Sequence, residues 1–276
     1  MSYRLSAALA AVFLVALPAQ AQDVPKPFTV SGSAAVVSDY RFRGVSQSDR
    51  NFAAQAGITV THESGVYVGT WGSNLAGWGQ FGGANLELDA IGGFKKTFAG
   101  TTVDVGLTWY MYPGGSSKTD FAEPYVRLSR TLGSVNALVG VAYAPKQQAL
   151  GRYYFTGADS VKGVYNDPGD KKDNLYVWGD ASAGVPGTKL TLKTHLGYSH
   201  GNRGLGPNGT SVTPTGEYLD WLAGADYVLG PLTLGVAYID TDIGKRESAY
   251  LLPNFATTKG HTIAGSTVLF SVTAGF

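Results

Sequence analysis

The chain has 276 residues, with 21 Lys and Arg against 20 Asp and Glu and a formal net charge of +1. This balance argues against a nucleic-acid-binding protein, because phosphate contacts need a basic surface. The absence of cysteine excludes disulfide bonds, thiolate metal sites, a cysteine nucleophile and a lipid-modified N-terminal cysteine.

The first residues have the pattern of a secretory signal peptide. Arg4 precedes an apolar run from Leu5 to Leu17, and Ala19-Gln20-Ala21 supplies the small residues of a cleavage site. The run is shorter than the roughly 20 apolar residues of a transmembrane helix, and no later stretch reaches that length. We expect residues 1–21 to be a cleaved signal peptide, residues 22–27 a short periplasmic segment and residues 28–276 a single domain.

Downstream of this segment, apolar and polar residues alternate with a period of two, which predicts β strands instead of helices. The first predicted strand, Phe28–Arg43, places Val30, Val36 and Tyr40 on one face and Arg41 on the other. Eleven further strands follow: Asn51–Thr61, Val66–Asn74, Ala84–Lys95, Thr102–Met111, Glu123–Leu128, Val135–Tyr143, Leu175–Val185, Leu190–Tyr198, Leu219–Tyr227, Leu232–Thr241 and Ala264–Phe276.

The connections between these strands alternate in length. Short turns join every second pair, and they are His62–Gly65, Thr97–Thr101, Leu132–Ser134, Pro186–Thr188 and Gly230–Pro231. The other connections are longer and more polar, and Ala144–Asn174 is the longest. This asymmetry is the plan of outer-membrane barrels. We therefore expect an all-β chain, a single transmembrane antiparallel up-and-down β-barrel of about 12 strands with both mature termini in the periplasm.

The last predicted strand carries apolar residues at alternate positions up to Phe276. It must pair with the first strand, because an open edge in lipid would leave backbone groups without hydrogen bonds at several kcal/mol each. A terminal strand of this kind also resembles the one that outer-membrane assembly machinery recognises, which makes that machinery an expected partner.

Aromatic residues fall at two heights on a barrel drawn from this pattern. An outer girdle at headgroup level is predicted from Tyr40, Phe42, Trp71, Trp109, Tyr143, Tyr198 and Tyr238. The opposite rim is predicted from Phe28, Phe94, Phe98, Tyr227 and Phe276. The alternative is a soluble β-protein, in which these rings would form an ordinary core.

Twelve charged residues lie on the polar face of their strands. The acidic ones are Asp39, Glu87, Asp89, Asp104, Glu123, Asp180, Asp220 and Asp226, and the basic ones are Arg41, Arg43, Arg127 and Lys193. In a soluble protein this face would be the solvated outside, whereas in a membrane barrel it is the lumen. The signal peptide and the loop asymmetry favour the lumen, so these residues are the candidate pore-lining charges. Their acidic majority predicts a mild cation preference, unless Arg41 and Arg43 form a ring at the constriction.

Residues suited to catalysis or to cofactor and metal binding are sparse. Of the four histidines, only His195 points into the predicted lumen. Ser199 is near it in sequence, but no G-x-S-x-G motif surrounds this serine. Asp167-Pro168-Gly169-Asp170 lacks the spacing of a calcium loop. We therefore expect no cofactor, no metal and no enzymatic activity.

The segment Ser38–Gln47, which reads SDYRFRGVSQ, resembles the opening of the TorF-type porin family of proteobacteria. Val68–Asn74, Asp104–Gly114 and Val236–Asp242 are similar to the same family, whereas the loops around Lys146–Lys172 and Lys245–Lys259 are individual. The resemblance covers most of the mature chain and implies an outer-membrane pore. It supplies neither a catalytic residue nor a substrate.

These observations together predict a porin-like channel of the Gram-negative outer membrane for passive diffusion of ions or small polar solutes. Its pore would be narrowed by lumen charges and by an infolded Ala144–Asn174 loop. The expected surroundings are outer-membrane lipid and lipopolysaccharide, with no nucleic-acid partner. Two alternatives stay open, a closed structural or adhesive barrel that acts through its loops and an outer-membrane enzyme that uses His195 on lipid.

Overall fold

The computed structural model describes residues 27–77, 83–206 and 212–276. The predicted signal peptide and most of the predicted periplasmic segment lie outside the described residues. Within the described ranges, no helix is long and apolar enough to cross a membrane.

Twelve antiparallel strands form a closed barrel, in which each strand pairs with its neighbours in the sequence and the last pairs with the first. They are β1 (Phe28–Val37), β4 (Ala53–His62), β5 (Val66–Asn74), β6 (Leu86–Phe98), β7 (Thr101–Met111), β8 (Phe121–Leu132), β9 (Val135–Gln147), β10 (Lys172–Gly184), β11 (Leu190–Arg203), β12 (Thr215–Leu229), β13 (Leu232–Thr241) and β14 (Thr267–Gly275). The remaining two strands, β2 (Arg41–Phe42) and β3 (Val45–Ser46), pair with each other and are not part of the barrel sheet. The predicted all-β, up-and-down barrel of twelve strands is confirmed.

The two ends of the barrel differ. Five short connections and both terminal strand ends lie at one end, which we call the turn end. The longer connections lie at the other, which we call the loop end, and they contain a 3-10 turn (Gln148–Leu150) and two short helices, α1 (Gly157–Lys162) and α2 (Lys245–Leu251). Barrel strands β9 and β10 extend beyond the predicted strands, so the connection between them is shorter than Ala144–Asn174.

The barrel closes where β1 meets β14, with Ser33 opposite Gly275. The backbone N–H groups of Gly32 and Phe276 each donate to the other's carbonyl oxygen, at 2.9 and 3.0 Å. Glycine is needed at position 32, because a Cβ there would lie 2.5 Å from the Phe276 ring and 2.7 Å from the backbone oxygen of Gly57. The predicted pairing of first and last strands is therefore confirmed, and it holds the aromatic C-terminal residue against β1.

Apolar residues face outward along the strands and polar residues face inward. On β6, Leu86 is 43% exposed while its neighbour Glu87 is 2% exposed. Val236 and Val272 are exposed in the same way on β13 and β14. Because the side-chain period of a strand is two, this alternation fixes which face of each strand is inward, and the barrel strands other than β5 face in the predicted direction.

The first predicted strand, Phe28–Arg43, is wrong in its second half. Strand β1 ends at Val37, and the chain then turns into the lumen as a small hairpin of β2 (Arg41–Phe42) and β3 (Val45–Ser46). Its two turn residues are Arg43 and Gly44, with φ of 49° and 78°. Alternation continues through this segment and so cannot show where a strand leaves the barrel wall. The signal for the turn is the Arg-Gly pair between Phe42 and Val45.

Three residues of the predicted outer girdle lie inside, two of them because of this hairpin. Tyr40 is buried, its ring packs edge-on against Trp71 at 5.4 Å, and Phe42 packs on Tyr110 at 5.8 Å. The side chain of Trp71 lies inside because it shares the inward face of β5 with buried Tyr67 and Ser73. The remaining girdle residues, Trp109, Tyr143, Tyr198 and Tyr238, are exposed on the outer face, as are the five aromatic residues of the opposite rim.

Candidate functional site

The segment from Asp39 to Gln47 crosses the lumen at the loop end, and we call it the inner hairpin. Its tip residue, Arg43, reaches β8, five strands around the barrel from β1. There Arg43 Nη2 donates to both carboxylate oxygens of Glu123, at 2.7 Å each. The two side chains are 6% and 4% exposed, so this ion pair is buried. A buried charge is retained at reasonable free energy only when it is paired.

Aromatic side chains complete the surroundings of the Arg43 guanidinium. Its carbon lies 4.0 Å from the ring centre of Tyr176 on β10, a distance typical of a cation–π contact. Tyr110 Oη donates to Glu123 Oε2 at 3.3 Å. We call Glu123, Tyr110 and Tyr176 the Arg43 socket. Tyr218 Oη adds a contact to the backbone by donating to the Arg43 carbonyl oxygen at 3.0 Å.

The stem of the inner hairpin is fixed on the opposite side of the lumen. Arg41 Nε lies 2.6 Å from Asp39 Oδ2, and Arg41 Nη1 donates to the carbonyl oxygens of Ile263 and Gly265 at 3.0 Å each. Ser46 Oγ donates to Asp39 Oδ1 at 2.6 Å, and the Ser46 amide donates to the Ile263 carbonyl at 2.9 Å. The stem therefore has several anchors on the loop before β14, whereas the guanidinium of the tip has one acidic partner.

The Arg43 turn has features that cost free energy. A two-residue hairpin with both φ values positive is the arrangement that Asn-Gly and Asp-Gly favour, and a left-handed conformation costs other residues about 1–2 kcal/mol. Arg43 Nη1 is buried and has no hydrogen-bond partner within the described part of the chain. The socket thus holds a guanidinium that uses a single nitrogen for both carboxylate oxygens.

A second group of lumen acids lies on β6. Tyr40 Oη donates to Glu87 Oε1 at 2.8 Å, and Asp89 lies on the same inward face two residues later. Both side chains are buried, and Asp89 Oδ1 has no hydrogen-bond partner among the described residues. No ion pair to Lys, Arg or His is found for either acid in residues 27–77, 83–206 and 212–276.

The lumen charges nearer the turn end form pairs of their own. Arg127 lies 3.0 Å from Asp104, and Lys193 lies 2.6 Å from Asp226. His195 lies between two acids, with Nδ1 2.7 Å from Asp180 and Nε2 3.2 Å from Asp220. Tyr176 Oη lies 2.8 Å from His195 Nε2, which links this group to the Arg43 socket.

Burial decreases along the barrel axis from the loop end to the turn end. At the level of the inner hairpin, inward-facing side chains such as Phe121, Ser73 and Ser199 are fully buried. Nearer the turn end, Thr29 and Ser31 on β1 are exposed. Between these levels lies a cavity of ≈ 400 Å³, whose walls include the Arg43 socket, Arg127, Trp178 and His195. The interior is therefore filled at the loop end and open to solvent toward the turn end.

All twelve predicted pore-lining charges lie inside the barrel, in the arrangement just described. Nine lie on barrel strands as predicted, and Asp39, Arg41 and Arg43 instead lie on the inner hairpin. Sequence reasoning missed the tyrosines that surround these charges, Tyr40, Tyr110, Tyr176 and Tyr218. Alternation already placed Tyr110 and Tyr176 on the polar faces of their strands, and that was the available signal.

Ser199 and His195 do not form a nucleophile–base pair. Four residues of strand separate them, which corresponds to roughly 13 Å, and the hydrogen-bond partners of His195 are Tyr176, Asp180 and Asp220. No group of three or more His, Cys, Asp or Glu able to hold a metal ion occurs among the described residues.

Residues 21–276 match the family described as "Bacterial protein of unknown function (Gcw_chp)", and the chain belongs to this family. None of the curated proteins matches the sequence.

Among solved structures, the chain is similar to an outer-membrane channel of Pseudomonas putida F1, with 9% identity, a TM-score of 0.44 and coverage of 95% of this chain and 100% of that one. It is also similar to OmpF of Salmonella typhi, solved with daunomycin, with 12% identity, a TM-score of 0.40 and coverage of 90% and 97%. Because these TM-scores are low, the assignment of the fold rests on the strand pairing of this chain and not on the similar structures.

Proposed function

We propose that this member of the Gcw_chp family is a porin-like barrel of the bacterial outer membrane. In our proposal it conducts ions or small polar solutes by passive diffusion through a lumen that the inner hairpin narrows. The resemblance of Ser38–Gln47 to the TorF-type porin family supports the same assignment, and this segment contains the inner hairpin.

The outer surface supports insertion in a membrane. Large apolar side chains such as Leu107, Val139 and Leu196 are exposed on the outer face. Contact of these side chains with water would be unfavourable, whereas lipid would cover them. A closed barrel can place such a face in lipid because every strand edge is paired. The short turns support a periplasmic turn end, since outer-membrane barrels have short periplasmic turns and longer external loops. Lipid and lipopolysaccharide would then surround the outer face.

The single observation that supports conduction is the charged, solvent-open lumen on the turn side of the inner hairpin. Twelve strands lie between the eight of filled barrels and the sixteen to eighteen of wide porins, so a narrow passage is expected. Paired charges such as Lys193 with Asp226 keep this lumen polar without a large net field. An interior built only for stability would be filled along its whole length.

A planar-bilayer recording tests this proposal. The purified chain should give discrete current steps in symmetric KCl, and liposome flotation should show that it inserts. The filled loop end favours a second candidate, a closed barrel that acts through its loops. Such a barrel would float with the liposomes and give no current.

The C-terminal strand supports a further part of the proposal, recognition by outer-membrane assembly machinery. Phe276 is exposed at the rim and completes the closing strand pair with Gly32. Removal of Phe276 should lower the amount of folded barrel in the outer membrane more than it lowers the stability of barrel refolded in detergent. Equal effects would indicate a structural role alone.

A further inference from the structure

The Arg43 socket has the parts of a receptor for a guanidinium group. Glu123 supplies two carboxylate oxygens within hydrogen-bond distance, and the face of Tyr176 covers the guanidinium plane at 4.0 Å. A carboxylate combined with an aromatic face selects guanidinium over ammonium, because guanidinium is planar, delocalised and weakly hydrated. In the structure, the guanidinium that occupies the socket is that of Arg43.

Arg43 does not use this socket fully. One nitrogen, Nη2, contacts both oxygens of Glu123, and Nη1 is buried without a hydrogen-bond partner in the described part of the chain. The strongest carboxylate–guanidinium geometry has two parallel N–H···O bonds from two nitrogens. The hairpin backbone restricts Arg43, which sits at a left-handed turn position with φ of 49°. A free guanidinium has no such restriction and can align two nitrogens with the same carboxylate.

A free solute also has a way to reach the socket. Arg43, Glu123, Tyr110 and Tyr176 all line the cavity of ≈ 400 Å³. That volume accommodates a small guanidinium compound beside the hairpin tip, and the lumen beyond it toward the turn end is exposed to solvent. The hairpin stem keeps its own anchors at Ile263 and Gly265, so the tip can leave its socket while the stem stays attached.

From these observations we infer that the Arg43 socket is a binding site for solutes that carry a guanidinium group. Such a solute competes with Arg43 for Glu123, and its binding releases the hairpin tip from β8. The inference deepens the proposed function and rests on it for the consequence that release of the tip widens the passage. Binding itself does not depend on conduction.

Binding is tested with methylguanidinium on the full chain in detergent micelles. Arg43→Ala empties the socket, and calorimetry should detect one site in this variant. The neutral isostere methylurea should give no signal, and Arg43→Ala/Glu123→Gln should lose the site. In the unsubstituted chain the affinity should be weaker, by about tenfold or more, because Arg43 occupies the site. Equal binding by the single and double variants, or none by either, overturns the inference. Arg43→Met, which keeps an unbranched side chain without a charge, serves the same test should Arg43→Ala fail to fold.

Competition is tested separately by single-channel recording. Millimolar methylguanidinium should increase the mean current of the unsubstituted chain, and it should leave the current of Glu123→Gln unchanged. If methylguanidinium changes the mean current of neither chain, release of the tip is overturned and the proposed function stays intact. Absence of current from every chain, with the calorimetric site present, contradicts the proposed function and supports the binding site.

Discussion

At the scale of single residues, the ion pairs of the lumen differ in burial. Arg43 and Glu123 are nearly inaccessible, whereas Arg127 and Asp104 are 36% and 15% exposed. Removal of one partner of a buried pair leaves an uncompensated charge and typically costs 3–5 kcal/mol, while exposed pairs contribute about 0–1 kcal/mol. The two pairs thus form a matched comparison inside one barrel.

We expect Glu123→Gln to lower the free energy of unfolding by about 3 kcal/mol and Asp104→Asn to lower it by less than about 1 kcal/mol. Urea unfolding in detergent micelles measures both. A double-mutant cycle with Arg43→Gln and with Arg127→Gln should give the larger coupling for the Arg43 pair. Equal coupling in the two cycles would show that burial does not decide the strength of these pairs.

The sequence could place these charges inside but could not pair them. Parity assigns a strand residue to one face, which correctly located Glu123, Asp104 and Arg127. It carries no information about partners across the lumen, because Arg43 and Glu123 meet only through the path of the inner hairpin. Tyr40 was expected outside because alternation continues after the chain leaves the barrel wall at Val37. Trp71 was expected outside because its strand alternates too weakly for parity to assign a face.

At the scale of elements, the closing strands depend on a position without a side chain. A Cβ at Gly32 would overlap both the Phe276 ring and the carbonyl oxygen of Gly57, and the latter cannot move without the β4 backbone. Overpacking of this kind costs about 1–3 kcal/mol. We expect Gly32→Ala to lower barrel stability by that amount in urea unfolding. Gly184→Ala, where no atom lies within 4 Å of the added carbon, is the control and should have little effect.

The outward and inward faces of the barrel strands offer another comparison. Arginine at Leu234 or Val139 would enter the exposed apolar face and, near the bilayer midplane, cost about 2–4 kcal/mol of membrane stability. The same substitution at Thr233, on the inward face of β13, should be far milder. Urea unfolding in liposomes measures both effects. Equal losses on the two faces would contradict the membrane placement of the outer surface.

Most barrel strands could be predicted from the sequence because each alternates and ends at a turn. The Phe28–Arg43 prediction failed where alternation continued while the chain left the wall at Val37. Gly44 next to Arg43 marks a turn, but the residues on both sides of it are as apolar as strand residues. The local pattern therefore predicted strand β1 but did not show that the chain enters the lumen after Val37.

At the scale of the whole molecule, the twelve predicted lumen charges comprise eight acidic and four basic residues. Each of Arg41, Arg43, Arg127 and Lys193 pairs with one acid, and four further acids are left, with His195 between two of them. Fixed charges of one sign in a narrow lumen concentrate counterions. The arginines are paired on the hairpin, so we expect them not to impose an anion preference.

Reversal potentials in asymmetric KCl should therefore show a mild cation preference. Asp180→Asn should reduce it, because this carboxylate is 42% exposed in the accessible part of the lumen. Asp240→Asn, on the outward face of β13, is the control and should leave the reversal potential unchanged. A chloride preference in the unsubstituted chain would show that Arg41 and Arg43 control selectivity.

The central claim is that this chain is a membrane channel narrowed by its own inner hairpin, and single-channel conductance tests it most directly. The unsubstituted chain should show a small conductance, and replacement of residues 41–46 by a Gly-Ser linker should raise it several-fold. Replacement of residues 245–251, the α2 segment at the loop end, should change it little. A linker variant that folds and inserts but conducts no more than the unsubstituted chain would contradict the claim.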